Sequence, residues 1–218
     1  VGVVVLAGAG TAIALAGAGP RVERREVLTH QVTALTIDPG AGDVTVRSGA
    51  TAGTVEVIRR ARGSLNDAPA SRGTWDGTTL VIRPECPDGC GADYEIRLPN
   101  GVAVTAETGS GDIDLVGTLG IVSVEAGSGD VEADATVDNL TTRTSSGDIE
   151  LRLRSAPTQL TATSGSGDVD VRLPSAQTYA VAVETGSGDT EIDVPRQDTA
   201  GHRIQVRTGS GDISLRAR

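Results

Sequence analysis

Between Val102 and Arg218 aliphatic and polar residues alternate along the chain, and six times the alternation is interrupted by Gly-Ser-Gly-Asp or a one-residue variant of it. Aligned on the aspartate, the position five before the turn reads Val104, Val122, Leu140, Leu160, Val181 and Ile204. Three before the turn stand Ala106, Val124, Thr142, Ala162, Val183 and Val206, and directly before it Thr108, Ala126, Thr144, Ser164, Thr185 and Thr208. After the aspartate the first position holds Ile113, Val131, Ile149, Val169, Thr190 and Ile213, and the third Leu115, Ala133, Leu151, Val171, Ile192 and Leu215. A period of two on both sides of a turn predicts two half-buried strands per copy.

The turns contain Gly109, Gly111 and Asp112; Gly127, Gly129 and Asp130; Gly147 and Asp148; Gly165, Gly167 and Asp168; Gly186, Gly188 and Asp189; Gly209, Gly211 and Asp212. Their glycines are expected to supply a positive φ or a tight bend. The aspartates are 18, 18, 20, 21 and 23 residues apart, and a period near 20 marks stacked repeats.

Outward positions of the strand after each turn, among them Asp114, Glu132, Glu150, Asp170 and Glu191, extend the turn aspartates into an acidic surface. If copies stack at the strand spacing of about 4.8 Å, these carboxylates repel one another and need an offset. The expected offset is structural: turn aspartates accept hydrogen bonds from backbone N–H groups, and Arg143, Arg152, Arg172, Arg207 and Arg216 stand nearby as counter-charges. Calcium bridging Asp130, Glu132, Asp148 and Glu150 is the alternative. The tandem nonapeptide of calcium β-rolls is missing, so no metal or other cofactor is expected.

Two architectures accommodate such strands. In a β-solenoid, strands before the turn stack on one another, strands after it do likewise, and the two sheets enclose a thin apolar core. In an antiparallel meander of hairpins the apolar face would lie bare, because no helix-period segment in the repeats is long enough to cover it. A single-domain, all-β solenoid with two-strand rungs of 18–23 residues is therefore expected, with the meander as the alternative. The extra residues of longer copies, Ser155–Pro157, Pro174–Ala176 and Pro195–Gly201, all fall between one copy and the next.

Residues 27–101 follow the pattern more loosely. Leu35–Ile37, Gly40-Ala41-Gly42-Asp43 and Val44–Val46 form a degenerate first copy, and Thr54–Ile58, Thr79–Ile82 and Tyr94–Leu98 also alternate. Gly63–Thr78 is polar and breaker-rich and reads as a loop. The expected organisation is a hydrophobic segment at 1–19, a juxtamembrane linker at 20–26, an irregular capping part at 27–101 and regular repeats at 102–218.

Composition narrows the function. All 19 basic residues are arginine, the net charge is −10, and neither Phe nor Met occurs. A polyanion without a clustered basic surface is not a nucleic-acid binder. Val1–Gly19 carries no charge and is about long enough to cross a bilayer. It predicts a retained helical anchor with an extracytoplasmic β domain; the alternative is a secretory signal cleaved at Ala14-Leu15-Ala16. In an exported chain, Cys86 and Cys90, flanking Pro87-Asp88-Gly89, are expected to form a disulfide.

Repeats of the form V-x-V-x-T-G-S-G-D-I-x-L, preceded by Tyr94-Glu95-Ile96-Arg97-Leu98-Pro99-Asn100-Gly101, give the chain a family likeness. It resembles the bacterial adhesin-like β-strand-repeat family of unknown function over residues 30–218. The resemblance implies a solenoid-like fold, an N-terminal membrane tether and a surface role, with no catalytic residues to carry over. The residues themselves agree. No Ser/His/Asp spacing, nucleophile elbow, P-loop or H-E-x-x-H is present, and Trp75, Tyr94 and Tyr179 offer little aromatic surface for sugars. The expected function is a non-enzymatic, membrane-anchored module that meets an envelope or surface ligand. The sensor head of an envelope-stress protein is the alternative, and a calcium-dependent polysaccharide-active enzyme is a more distant one.

Overall fold

The computed structural model of the protein describes residues 21–62, 73–83 and 92–218, and within them the regular secondary structure is all strand. The first part contributes β1 (Arg21–Thr29), β2 (Ala34–Ile37), β3 (Val44–Ser48), β4 (Thr54–Arg62), β5 (Thr74–Asp76), β6 (Thr79–Ile82) and β7 (Ala92–Leu98). Six two-strand copies follow: β8 (Ala103–Thr108) and β9 (Ile113–Thr118), β10 (Val122–Ala126) and β11 (Val131–Thr136), β12 (Asn139–Thr144) and β13 (Ile149–Leu153). They continue with β14 (Gln159–Ser166) and β15 (Val169–Leu173), β16 (Tyr179–Thr185) and β17 (Thr190–Asp193), and β18 (His202–Ser210) and β19 (Ile213–Ala217).

Each repeat turn carries the chain from one sheet to the other, so strands before the turn stack in one sheet and strands after it in the second. The ten-stranded sheet runs β1-β4-β7-β3-β9-β11-β13-β15-β19-β17, and the nine-stranded sheet runs β16-β18-β14-β12-β10-β8-β2-β6-β5. Every pairing is parallel except β1 with β4, β4 with β7, and β5 with β6. This is a two-sheet β-solenoid. The meander is excluded for the repeats because β8, β10, β12 and β14 pair in parallel.

Register is kept from rung to rung: Val104, Val122, Leu140, Leu160, Ile204 and Val181 lie in one line across the sheet. The aliphatic columns of both sheets face each other and form one continuous core. Burying a Val, Leu or Ile contributes about 1.5–3 kcal/mol, so the core gains from each rung. The two tyrosines lie toward the two ends of the stack, Tyr94 in β7, third from the end of its sheet, and Tyr179 in the edge strand β16, and Trp75 lies in the edge strand β5. Large rings are thus kept out of the narrow middle, whose lumen holds Val, Ile, Leu, Ala and Thr.

Rungs do not stack in chain order at either end. At one end β2/β3 lies between β6/β7 and β8/β9; at the other, β18/β19 lies between β14/β15 and β16/β17. Both ends therefore contain a rung that the chain first steps over and later, or earlier, fills.

Four expectations need correction or restriction. Residues 21–26 of the linker expected at 20–26 belong to β1, which pairs with β4 along its length from Arg21↔Arg62 to Thr29↔Thr54. The alternation of Arg21, Glu23 and Arg25 with its neighbours concealed a charged edge strand. Thr74–Asp76, expected within a loop, forms the short strand β5 against β6. Residues 27–101 are not simply a cap, since β2/β3 is an interior rung. The hydrophobic segment 1–19 and the pair Cys86 and Cys90 lie outside the described residues.

Candidate functional site

The turn face is a ladder of aspartates. The backbone N–H of Asp112 donates to Asp43 Oδ1 at 3.0 Å, Asp130 to Asp112 at 2.9 Å, Asp148 to Asp130 at 2.8 Å and Asp168 to Asp148 at 2.8 Å. Asp212 then donates to Asp168 and Asp189 to Asp212, each at 2.8 Å, following the exchanged order of the last rungs. At the opposite end Asp43 donates to Asp93 at 3.2 Å. Each aspartate also uses its backbone carbonyl, as where Ile149 N–H donates to Asp168 O at 2.9 Å. A carboxylate accepting an amide hydrogen makes a charge-assisted bond that fixes rung against rung.

A second ladder lies just inside. The hydroxyl before each turn donates to the carbonyl of the third turn residue in the neighbouring rung: Thr108 to Gly42, Thr144 to Gly129, Ser164 to Gly147, Thr208 to Gly167 and Thr185 to Gly211. Thr108 Oγ1 also accepts from Gly111 N–H at 3.1 Å. Ala126 occupies the same column without a hydroxyl.

The turn glycines have a different reason from the one expected. Gly167, Gly188 and Gly211 do have positive φ, but Gly111, Gly129 and Gly147 do not. What requires glycine in all six is stacking: a Cβ at Gly147 would overlap the carbonyl of Gly129, and the same collision recurs at Gly111, Gly129, Gly167, Gly188 and Gly211. Among the first turn residues, Gly109, Gly127, Gly165, Gly186 and Gly209 face neighbouring carbonyls closer than 3.0 Å in the same way.

On the ten-stranded sheet the acidic column is Glu95, Asp114, Glu132, Glu150, Asp170 and Glu191, with Thr45 and Ser214 in the same line. Two residues further along each strand runs a partly basic column of Arg97, Arg47, Arg152, Arg172 and Arg216. The columns are laced together: Arg152 pairs with Glu150, Arg172 with Asp170 at 3.1 Å, and Arg216 with Glu191 at 2.6 Å and Asp170 at 3.4 Å. Arg207, on the other sheet, instead pairs with Glu184 at 3.2 Å. At the N-terminal end Arg60 reaches Glu95 at 3.3 Å and Glu23 at 3.0 Å.

Titration follows this pairing. Partial burial raises the Glu95 carboxyl, yet hydrogen bonds from Arg97 and Arg60 together outweigh it and hold the group below its ordinary value. The Arg154 guanidinium, bonded to both oxygens of Asp134, holds that carboxyl down. Arg216 does the same for Glu191. Burial raises the Tyr179 hydroxyl, which donates to Pro174 O at 2.7 Å.

Among the described residues no group of three or more His, Cys, Asp or Glu is arranged to hold a metal ion. The turn carboxylates other than that of Asp189 accept amides from a neighbouring rung, and Glu95, Glu150, Asp170 and Glu191 of the second column pair with arginines. These bonds hold neighbouring rungs in register. Asp93, which the repeat pattern did not single out, starts the ladder from β7. It joins because β7 pairs with β3 in the register Val44↔Tyr94, which sets Asp93 beside Asp43.

These features define an all-β repeat protein whose polar turn face is structural. The chain belongs to the Toastrack DUF4097 family, whose profile matches residues 29–216. Its fold is similar to that of a putative cell adhesion protein from Clostridium sporogenes, at 13% identity over 91% of this chain and 100% of that one, with a TM-score of 0.55. It is similar also to a putative adhesin from Bacteroides fragilis, at 14% identity over 89% and 96% of the two chains, with a TM-score of 0.52. No functionally curated protein matches the chain.

Proposed function

We propose that the chain is a non-enzymatic, membrane-anchored module with an extracytoplasmic β domain and an adhesin-like or structural role. The observation that carries this is the commitment of the carboxylate surface. Seven inter-rung amide bonds engage the turn column, so the groups that would serve acid–base or metal chemistry hold the solenoid together instead. The putative cell adhesion protein and putative adhesin with this fold support the same reading, as does the uncharged run Val1–Gly19 shortly before β1.

Location and role are tested separately. A C-terminally tagged chain should remain in the membrane fraction after carbonate extraction and be digested by protease added to intact or outer-membrane-permeabilised cells. A chain lacking residues 1–19 should lose both properties. Protease protection of the full chain would place the β domain on the wrong side. For the role, cells displaying the chain should retain more of an envelope or matrix surface than cells without it, and equal retention would remove the adhesin-like assignment.

A further inference from the structure

Among the described residues the two sheets end in four edge strands, and these are not protected alike. β5 is three residues long, β1 carries Arg21, Glu23, Arg24, Arg25 and Glu26, and β17 carries Glu191 and Asp193 beside Asp189. Shortness and charge are ordinary ways of keeping an edge from pairing with another chain. β16 uses neither, since Tyr179-Ala180-Val181-Ala182-Val183 precedes its first charge.

The free side of β16 is occupied only at its start. Tyr179 N–H donates to Pro195 O at 2.9 Å and Gln197 N–H donates to Tyr179 O at 2.9 Å, a parallel bridge centred on Arg196. The chain then turns away, with Ala200 N–H donating to Gln197 O, and enters β18. Main-chain groups of successive strand residues point to alternate sides, so Val181, Val183 and Thr185 aim theirs as Tyr179 does, away from β18. Among the described residues β16 is the edge of its sheet. The line begun by Pro195–Gln197 is thus an unfinished strand position.

Apolar surface accompanies the open backbone. Val181, Val183 and Ile192 are half-buried, whereas Ile204, Val206 and Leu215 in the adjoining rung are buried. The surroundings are acidic: residues 179–201 contain Glu184, Asp189, Glu191, Asp193 and Asp198 against Arg196, and while Glu184 and Glu191 pair with Arg207 and Arg216 of the adjoining rung, Asp189, Asp193 and Asp198 are left as the acids a partner would meet. That charge opposes pairing with a second copy, which would bring two such ends together. It favours a basic strand. The neighbour that β16 already has, β18, reads His202-Arg203-Ile204-Gln205-Val206-Arg207, with aliphatic residues toward the core and Arg207 on Glu184 at 3.2 Å.

We propose that the free edge of β16 is a β-augmentation site for an extended segment of another protein in which aliphatic residues alternate with arginine or lysine. The proposal rests on the reading of the chain as an interaction module and states what the module would hold. Main-chain bonds to Val181, Val183 and Thr185 supply the pairing, aliphatic residues close the end of the core, and basic residues meet the acidic rung.

The probe is a fluorescein-labelled synthetic peptide with the sequence of residues 202–210, titrated into the folded chain and followed by amide hydrogen exchange. We expect saturable binding, with exchange at Val181, Val183 and Thr185 slowed about tenfold and exchange at Ala182, already facing β18, unchanged. The same peptide with Arg203→Glu and Arg207→Glu should bind about tenfold more weakly. Val183→Pro in the protein removes one edge N–H where an edge strand tolerates proline, and should weaken the native peptide about tenfold. If that variant does not fold, the exchange pattern of the unaltered chain decides. Absence of saturable binding, loss of protection at β18 and β19 from displacement of β18, or protection of the same amides by self-association alone would each overturn the assignment. Such a result with the chain still exposed outside the cytoplasm would leave the module reading intact.

Discussion

The interior rung β12/β13 and the end rung β16/β17 share one sequence pattern but live in different surroundings. Leu151 in β13 is 0% exposed, while Ile192, at the same position of its copy, is only half-buried. Asp148 both receives an amide from Asp168 and donates its own to Asp130, whereas Asp189 donates to Asp212 and stands at the end of the ladder. A repeat supplies half of each contact. The neighbour supplies the rest, so the energetic weight of a residue depends on its place in the stack as much as on its identity.

The sharpest way to break this comparison is in the core. Leu151→Ala should cost about 2–5 kcal/mol, the range for a buried leucine, and Ile192→Ala about 1 kcal/mol because less apolar area is lost. Glu150→Ala, one residue away on the exposed face, should fall within about 0.5 kcal/mol. Urea unfolding of the three variants checks the order, and equal costs at Leu151 and Ile192 would remove the distinction between interior and end.

Backbone stacking comes next. Gly147→Ala forces a Cβ against the Gly129 carbonyl and should cost about 1–3 kcal/mol. Gly201→Ala meets nothing within 4 Å and should be nearly neutral. Thermal melts of both variants test whether contact, and not backbone conformation, selects glycine in the turns.

The ladder should show a smaller but more diagnostic difference. Asp148→Ala leaves the Asp168 amide without its acceptor and should cost about 1 kcal/mol, while Asp148→Asn keeps an acceptor oxygen and should cost little. Asp189→Ala, at the end of the ladder, should cost less than Asp148→Ala. If Asp148→Asn were as damaging as Asp148→Ala, charge and not hydrogen bonding would be the property that matters.

The smallest effect is a gain. Ala126→Thr restores a hydroxyl to the column of Thr108 and Thr144, opposite the Gly111 carbonyl, and should add about 0.5–1 kcal/mol. An unchanged urea midpoint would show that this column contributes packing alone.

The regular part of this fold could be read from the chain because each rung repeats its own evidence: Val104, Val122, Leu140 and Leu160 mark the same inward position, and Asp112 through Asp168 the same turn. The rung exchange could not. Val181 and Ile204 are equally suited to lie beside Leu160, so aliphatic periodicity does not distinguish which copy is the neighbour. β1 was hidden for a different reason, since its ion pairs with β4, such as Glu23 with Arg60 and Arg25 with Glu56, put charge where a strand pattern shows apolar residues. At the turn face the aspartates were visible as a column, but their acceptor role required the register. Asp93 joined them only through pairing with a distant strand.

The exchanged position of β18/β19 also bears on how such a molecule is made and how it changes length. A simple solenoid grows rung by rung as it emerges from the ribosome or the export channel. Here β16/β17 emerges before the rung that must separate it from β14/β15, so its permanent seat cannot exist until residues 202–217 have arrived. A product interrupted before His202 lacks the rung against which β16/β17 packs in the full chain. By the same logic, repeats gained or lost over evolution are easiest to accommodate in the sequentially stacked middle, between β8 and β15, where duplication moves the interlocked ends apart without undoing either.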